Sequence, residues 1–163
     1  MAGKGHGKRE EAPVGTIDLR TQIDIERPAA EVFTFVADQT NAPLWQQGLH
    51  EVRRLTPGPL GVGTEHTFSR QFAGKLVESR NRFIAFEAGR FVAFEITPAA
   101  GMSGSASYTV EPTGPTSARL VSEVHFKVTG PSSLATPLLR RVFQRDTKRD
   151  EATLKVLLEK GAG

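Results

Sequence analysis

Ile17-Asp-Leu-Arg-Thr-Gln-Ile-Asp-Ile25 alternates apolar and polar side chains, and Glu26-Arg-Pro-Ala-Ala-Glu-Val-Phe-Thr-Phe-Val-Ala-Asp38 follows at once. A two-residue period is what a strand with one buried face requires; Thr21 shares that face with Ile17, Leu19, Ile23 and Ile25. Pro28 suits the first residue of a helix, where its missing N–H would be unpaired anyway. Val32, Phe33, Phe35 and Val36 give that helix an apolar face, and Asp38 can cap a second short helix running toward Trp45. The chain therefore opens strand, helix, helix.

Downstream the signals are nearly all strand. Glu51–Thr56, Thr64–Phe72, Lys75–Phe86, Arg90–Thr97, Met102–Glu111 and 118–128 are separated by Gly- and Pro-rich turns, with a hairpin expected at Glu87-Ala-Gly89. Gly130-Pro131 ends the series. Thr136-Pro137 reads as N-cap and first residue of an uninterrupted helix that runs to about Lys160, roughly 36 Å of rod. The expected fold is α+β: a seven-stranded curved antiparallel sheet around a long C-terminal helix, with two short helices after the first strand. A single rod is narrow for such a sheet. The small inward residues Thr21, Gly104, Ala106, Ala118 and Ser122 therefore imply a hollow, unless the ten Phe fill it.

A chain of 163 residues reads as one domain, here 16–160, behind a Gly-rich basic tail 1–15 expected to be disordered. The absence of Cys excludes disulfides, thiolate metal sites and a cysteine nucleophile. No apolar run is long enough to span a bilayer, and the tail lacks the hydrophobic stretch of a secretory signal, so a cytoplasmic location is expected. The net charge of +3 is small and uneven: residues 137–160 hold seven basic and four acidic side chains. No basic stripe interleaves with aromatics, so nucleic acid is not an expected partner; membrane contact is at most transient, and monomer and homodimer stay open. His6, His50, His66 and His125 are scattered, so no metal is expected, and no phosphate loop or Ser triad suggests a cofactor or a covalent step.

Ile23-Asp-Ile-Glu-Arg-Pro-Ala-Ala-Glu-Val-Phe-Thr-Phe-Val-Ala-Asp38, Ala42-Pro-Leu-Trp45, Gly61-Val-Gly-Thr64 and Leu154-Lys-Val-Leu-Leu-Glu159 stand in the order and at the distances of a known pattern. Over roughly 16–160 the chain resembles the SRPBCC superfamily, the START-like helix-grip proteins that include plant pollen allergens, lipid-transfer domains and bacterial polyketide cyclases/dehydrases. The resemblance implies the fold above and a ligand cavity between sheet and terminal helix. It does not imply one activity, because such a superfamily holds binders, transporters and enzymes.

The candidate residues are polar side chains expected to face inward. His66 and Arg70 share a strand face with Phe68 and Phe72; an inward guanidinium suits a carboxylate, enolate or phenolate, and an imidazole can move protons near neutral pH. Cross-strand pairing with Glu78 or Glu95 is the structural alternative. Tyr108 lies on the apolar face of its strand and needs a partner if buried. On the terminal helix, Leu139, Val142, Phe143, Thr153, Leu154 and Leu157 form a stripe, with Asp146 and Asp150 in its middle. The two carboxylates either line a cavity or pair with a neighbouring Arg. Leu120, Phe126 and Val142 are expected to supply apolar lining. Trp45 reads as an anchor of the second helix.

Three functions remain open: binding of a hydrophobic small molecule (lipid, polyketide or aromatic metabolite); polyketide cyclase or aromatase chemistry, with catalytic candidates His66, Arg70, Tyr108 and Asp146; and a protein-interaction module docking through the basic terminal helix. Pro57–Gly63 and Glu87–Gly89 are candidates for a cavity mouth.

Overall fold

The computed structural model describes residues 14–72, 74–99 and 101–161. Strand β1 (Val14–Ile25) leads through helix α1 (Ala29–Ala37) and a 3-10 turn (Gln39–Leu44) into β2 (Leu49–Arg54), β3 (Glu65–Phe72), β4 (Lys75–Glu87), β5 (Phe91–Ala99), β6 (Met102–Gly114) and β7 (Ser117–Thr129). A second 3-10 turn, Gly130–Ala135, runs into α2 (Thr136–Lys160). The strands form one seven-stranded sheet in the order β1-β7-β6-β5-β4-β3-β2, and every pairing is antiparallel.

Sequence alternation becomes cross-strand rows on the inner face: Ile17, Phe126 and Gly104; Leu19, Val124 and Ala106; Thr21, Ser122 and Tyr108; Ile23, Leu120 and Val110. At one end, α1 closes the sheet. Val32, Phe33 and Val36 join Ile25, Phe83, Val92, Phe94, Val110, Ala118, Leu120 and Leu154 in the main buried cluster, with Trp45 beside them. Toward the other end the inner face is looser around β6: Met102, Gly104, Ala106 and Phe126 are only half-buried, although Ile17 and Val128 beside them are sealed.

Helix α2 lies along the edge strand β1. Arg140 Nη2 donates to the Thr16 carbonyl (2.9 Å), Thr21 Oγ1 donates to Glu151, Lys155 Nζ donates to the Asp24 carbonyl (2.7 Å), and the Glu26 N–H donates to Glu159 (2.9 Å). Nineteen helical residues rise roughly 29 Å and ten strand residues roughly 33 Å, so the two elements keep step from end to end.

Several expectations need correction. Val14 and Gly15, expected in the disordered tail 1–15, belong to β1, paired with Thr129 and Val128; residues 1–13 lie outside the described residues. The second strand begins at Leu49 and ends at Arg54, because Gly48, at φ 86°, turns the chain earlier than the Pro-rich loop does. Pro28 occupies the cap position and Ala29 is the first helical residue. Thr136 does not cap α2: the preceding 3-10 turn already sets it helical, and its hydroxyl donates back to the Ser133 carbonyl (2.6 Å). Asp38 does cap, accepting from the Thr40 N–H at 3.1 Å, although the element it starts is a 3-10 turn.

Gly104 does not hollow the sheet. A Cβ there would stand 2.0 Å from the His125 carbonyl oxygen, so its bare Cα serves the close approach of β6 to β7. On α2, Leu139, Val142 and Phe143 are half-buried and Leu154 is sealed, but Thr153 and Leu157 are exposed. The buried seam drifts around the rod toward Glu151, Leu154 and Leu158 as the helix follows a twisted strand.

Candidate functional site

A chain of polar groups stands on the inner side of the sheet. Arg70 on β3 donates from Nη2 to Gln46 Oε1 (3.3 Å), and Gln46 donates from Nε2 to the Tyr108 hydroxyl (3.2 Å) on β6. Gln46 follows the first 3-10 turn, so that short element carries the bridge between two strands far apart in the sheet. The Tyr108 ring packs against Trp45 and Phe94, with centroids 6.1 and 5.9 Å apart. The next residue, Gln47, donates its N–H to Asp150 Oδ1 (3.1 Å), which ties the same turn to α2.

The electrostatics follow from burial. Desolvation pulls the Arg70 pKa down, against the field of Asp150, Tyr108 and Asp146, although Arg70 keeps much of its surface open to solvent. Burial pushes the Tyr108 phenol up, so it stays protonated, a donor as well as an acceptor. Burial also raises Asp150, opposed by the Gln47 N–H and by Arg149 and Arg70. Asp146 is half-buried, 3.5 Å from Arg145 and 3.4 Å from Arg149, and Asp150 stands 3.6 Å from Arg149. Both carboxylates thus face the interior edge and are also balanced by arginines of their own helix.

His66 is not in this group. It is fully buried four residues back along β3, between the rings of Phe68 (6.3 Å) and Phe83 (5.4 Å), and desolvation lowers its pKa, so it is neutral at neutral pH. Phe68 is half-buried and packs on a small cluster of Ala42, Leu49 and Val52. Leu120 is sealed in the main core. Phe126 and Val142 are half-buried, and Phe126 meets Phe143 at 5.7 Å. Arg70, Tyr108, Asp146 and Asp150 are brought to one region; His66 and Leu120 are placed elsewhere. Glu78 and Glu95 do not pair with His66 or Arg70: Glu95 holds Arg82 on the outer face, at 2.8 Å.

Four participants escape a reading of the sequence. Gln46 and Gln47 follow Trp45 with no periodic signal. Ser122 was legible only as a small residue. Glu151 falls outside the expected apolar stripe of α2, yet it is 4% exposed and accepts from Thr21. Its pKa is raised by burial, opposed by the hydroxyls of Thr21 and Ser122.

Outside the interior, a groove of about 720 Å³ runs along the outer flank of α2 between Leu44, Val156 and Leu157, with Arg149 and Lys160 at its rim. It is not the expected chamber between sheet and helix. Among the described residues no three His, Cys, Asp or Glu gather as a metal site, and no helix is long and apolar enough to cross a membrane.

A curved antiparallel sheet holding one long C-terminal helix, with a helix and a 3-10 turn plugging one end, is the helix-grip architecture of START-like proteins. Residues 16–159 match the model of the family described as polyketide cyclase / dehydrase and lipid transport, and the chain belongs to that family. Solved structures share the fold at low identity. The Zhui aromatase/cyclase from Streptomyces sp. R1128 is 17% identical, with a TM-score of 0.75 over 89% of this chain and 94% of that one. A START superfamily protein from Mycobacterium smegmatis is 12% identical, with a TM-score of 0.76 over 88% and 97%. Norcoclaurine synthase from Thalictrum flavum is 17% identical, with a TM-score of 0.66 over 91% and 98%. No curated protein matches the sequence.

Proposed function

We propose that the protein binds a hydrophobic small molecule on the inner face of the sheet, beneath α2, with a polar or acidic group of the ligand turned toward Arg70. The observation that carries this reading is the Arg70–Gln46–Tyr108 chain set against the half-buried inner residues of β6 and β7. Apolar contact would supply affinity at about 25 cal/mol per Å² buried, and a few fixed polar groups would orient the guest. Arg70 donates a planar fork, and Gln46 holds it from one side only.

A second reading, catalysis of the cyclase or dehydratase type, is favoured by one feature. Arg70 and a protonated Tyr108 stand near Asp150, whose pKa burial raises. Such a set can stabilise an enolate and shuttle a proton without a covalent step. His66, buried apart from it, is not a member of that set.

The test uses 8-anilinonaphthalene-1-sulfonate, an aromatic body with one anionic group. Fluorescence titration of the full chain is expected to show saturable binding, weakened about tenfold or more by Arg70→Ala, the loss of a charged hydrogen bond. Val156→Ser with Lys160→Ala, both on the outer groove, is expected to leave it unchanged, which separates the interior from that groove. Affinity that is insensitive to Arg70→Ala overturns the assignment.

A further inference from the structure

Arg54, His66 and Asn81 are direct cross-strand neighbours on β2, β3 and β4. Among the described residues six buried side-chain polar atoms lack a hydrogen-bond partner of good geometry, and four lie on this row: Arg54 Nε, His66 Nδ1 and Nε2, and Asn81 Oδ1, the last within hydrogen-bonding reach of the His66 ring. With one ring nitrogen turned to Asn81, Arg54 Nε and the second His66 ring nitrogen remain unmet, and buried polar atoms are nearly always bonded. The remaining atoms of the row are held. Arg54 Nη2 donates to the Gly58 carbonyl, and Asn81 Nδ2 donates to Gln39 Oε1 (3.3 Å). His66, Asn81 and Gln39 are 0%, 2% and 3% exposed. The unpaired atoms are therefore fixed in place by neighbours that are fully engaged.

We infer that this row is a second polar binding site of the interior, built for a hydroxyl group of the ligand. The inference rests on the reading of the interior as a ligand site and adds the chemistry of its far end. A neutral imidazole that gives its N–H to Asn81 Oδ1 keeps one lone pair, and Arg54 Nε offers an N–H. A hydroxyl oxygen can accept from Arg54 Nε while its proton goes to the open ring nitrogen of His66. A carboxylate would oppose that lone pair, and an ether or ketone would leave it unmet. Four residues of β3 separate His66 from Arg70, roughly 13 Å, and Phe68 lies between them on the same face. The ligand that fits has an apolar middle and oxygen functions at its two ends.

The test compares 2-naphthol with its methyl ether, which keeps the rings and removes the donor. In the full chain, ¹⁵N NMR follows the His66 ring nitrogens and the backbone amides of Ala106 and Tyr108 while calorimetry gives affinities. 2-Naphthol is expected to bind about tenfold more tightly than the ether, the yield of one or two hydrogen bonds, and to move both His66 ring signals. His66→Phe is expected to bring the two affinities within twofold; should that variant not fold, the ring signals of the parent chain decide alone. Equal affinities with shifts at Ala106 and Tyr108 but none at His66 overturn this inference and leave interior binding standing. Shifts at no inward-facing amide with either probe overturn both.

Discussion

Glu151 is a carboxylate at the interface of helix and sheet, held by Thr21 and, on the same inner row, Ser122. Two hydroxyls do not replace the hydration that a carboxylate loses, and its pKa rises above the ordinary 4.5. The folded chain therefore binds this proton more readily than the unfolded chain does. The cost of burying the charge is full above the folded pKa and is relieved as pH falls through it toward 4.5. Asp150 acts in the same sense. Asp24 and Glu159, lowered chiefly by Arg119 and Lys155, act in the opposite sense, but Asp24 is solvent-exposed and Glu159 partly so, and screening leaves them little weight. Glu151→Gln keeps an acceptor for Thr21 and removes the charge. Melting from pH 4.5 to 8 is expected to show the variant about 2–4 °C more stable at pH 8, roughly the effect of 1 kcal/mol in a domain of this size, with the gap closing toward pH 4.5. A variant less stable at every pH would mean that the carboxylate's own hydrogen bonds outweigh its desolvation.

At the scale of elements, α2 tests how far periodicity reaches. A stripe centred on leucines puts Leu154 and Leu157 on one face, whereas the folded helix seals Leu154 and leaves Leu157 37% exposed. Leu154→Ala is expected to cost about 2–5 kcal/mol, as cavity-forming truncations do, and Leu157→Ala less than about 0.5 kcal/mol. Urea midpoints of the two variants measure this, and comparable losses would restore the unrotated stripe. The strands were legible where one face is wet: β1 keeps a strict two-residue period from Ile17 to Ile25, β7 breaks its own only at the buried Val121, and the fold followed from their order. The rotation of α2 was not, since it depends on Thr21 and Ser122 offering hydroxyls to Glu151, a tertiary fact invisible to a helical wheel. The candidate site divides in the same way. Arg70, Tyr108, Asp146 and Asp150 could be picked as polar residues on apolar faces. Gln46 could not, because a residue just past a 3-10 turn has no period to violate. Arg54 and Asn81 needed the β2–β3–β4 register before they could be set beside His66.

Across the whole molecule, tightness is unequal from end to end. The α1 end is sealed by Ile25, Phe83, Val92, Val110, Ala118 and Leu120, each at most 1% exposed. The Glu87–Gly89 turn belongs to that end, since the Val110 N–H donates to the Arg90 carbonyl. The Pro57–Gly63 loop does as well: Leu60 packs on the main core and the Gly63 N–H reaches the Phe83 carbonyl. Neither segment is placed to act as the mouth that its Gly content suggests. The opposite end carries half-buried Met102, Gly104, Ala106, Phe126, Val142 and Phe143. There the first half of α2 is tied to β1 by Arg140, whereas Glu151, Lys155 and Glu159 fasten the second half. Segments with few buried contacts open first, so a guest is expected to enter between the N-terminal half of α2 and the start of β6. A ligand bound only by the folded state adds about 2.7 kcal/mol at a hundred times its Kd, and the local protection should follow the contacts it makes. Hydrogen exchange with saturating 8-anilinonaphthalene-1-sulfonate is expected to slow most over residues 102–108 and 139–147, and little over 57–63 and 87–89. The reverse distribution would move the entrance back to the α1 end and require the sealed core there to part.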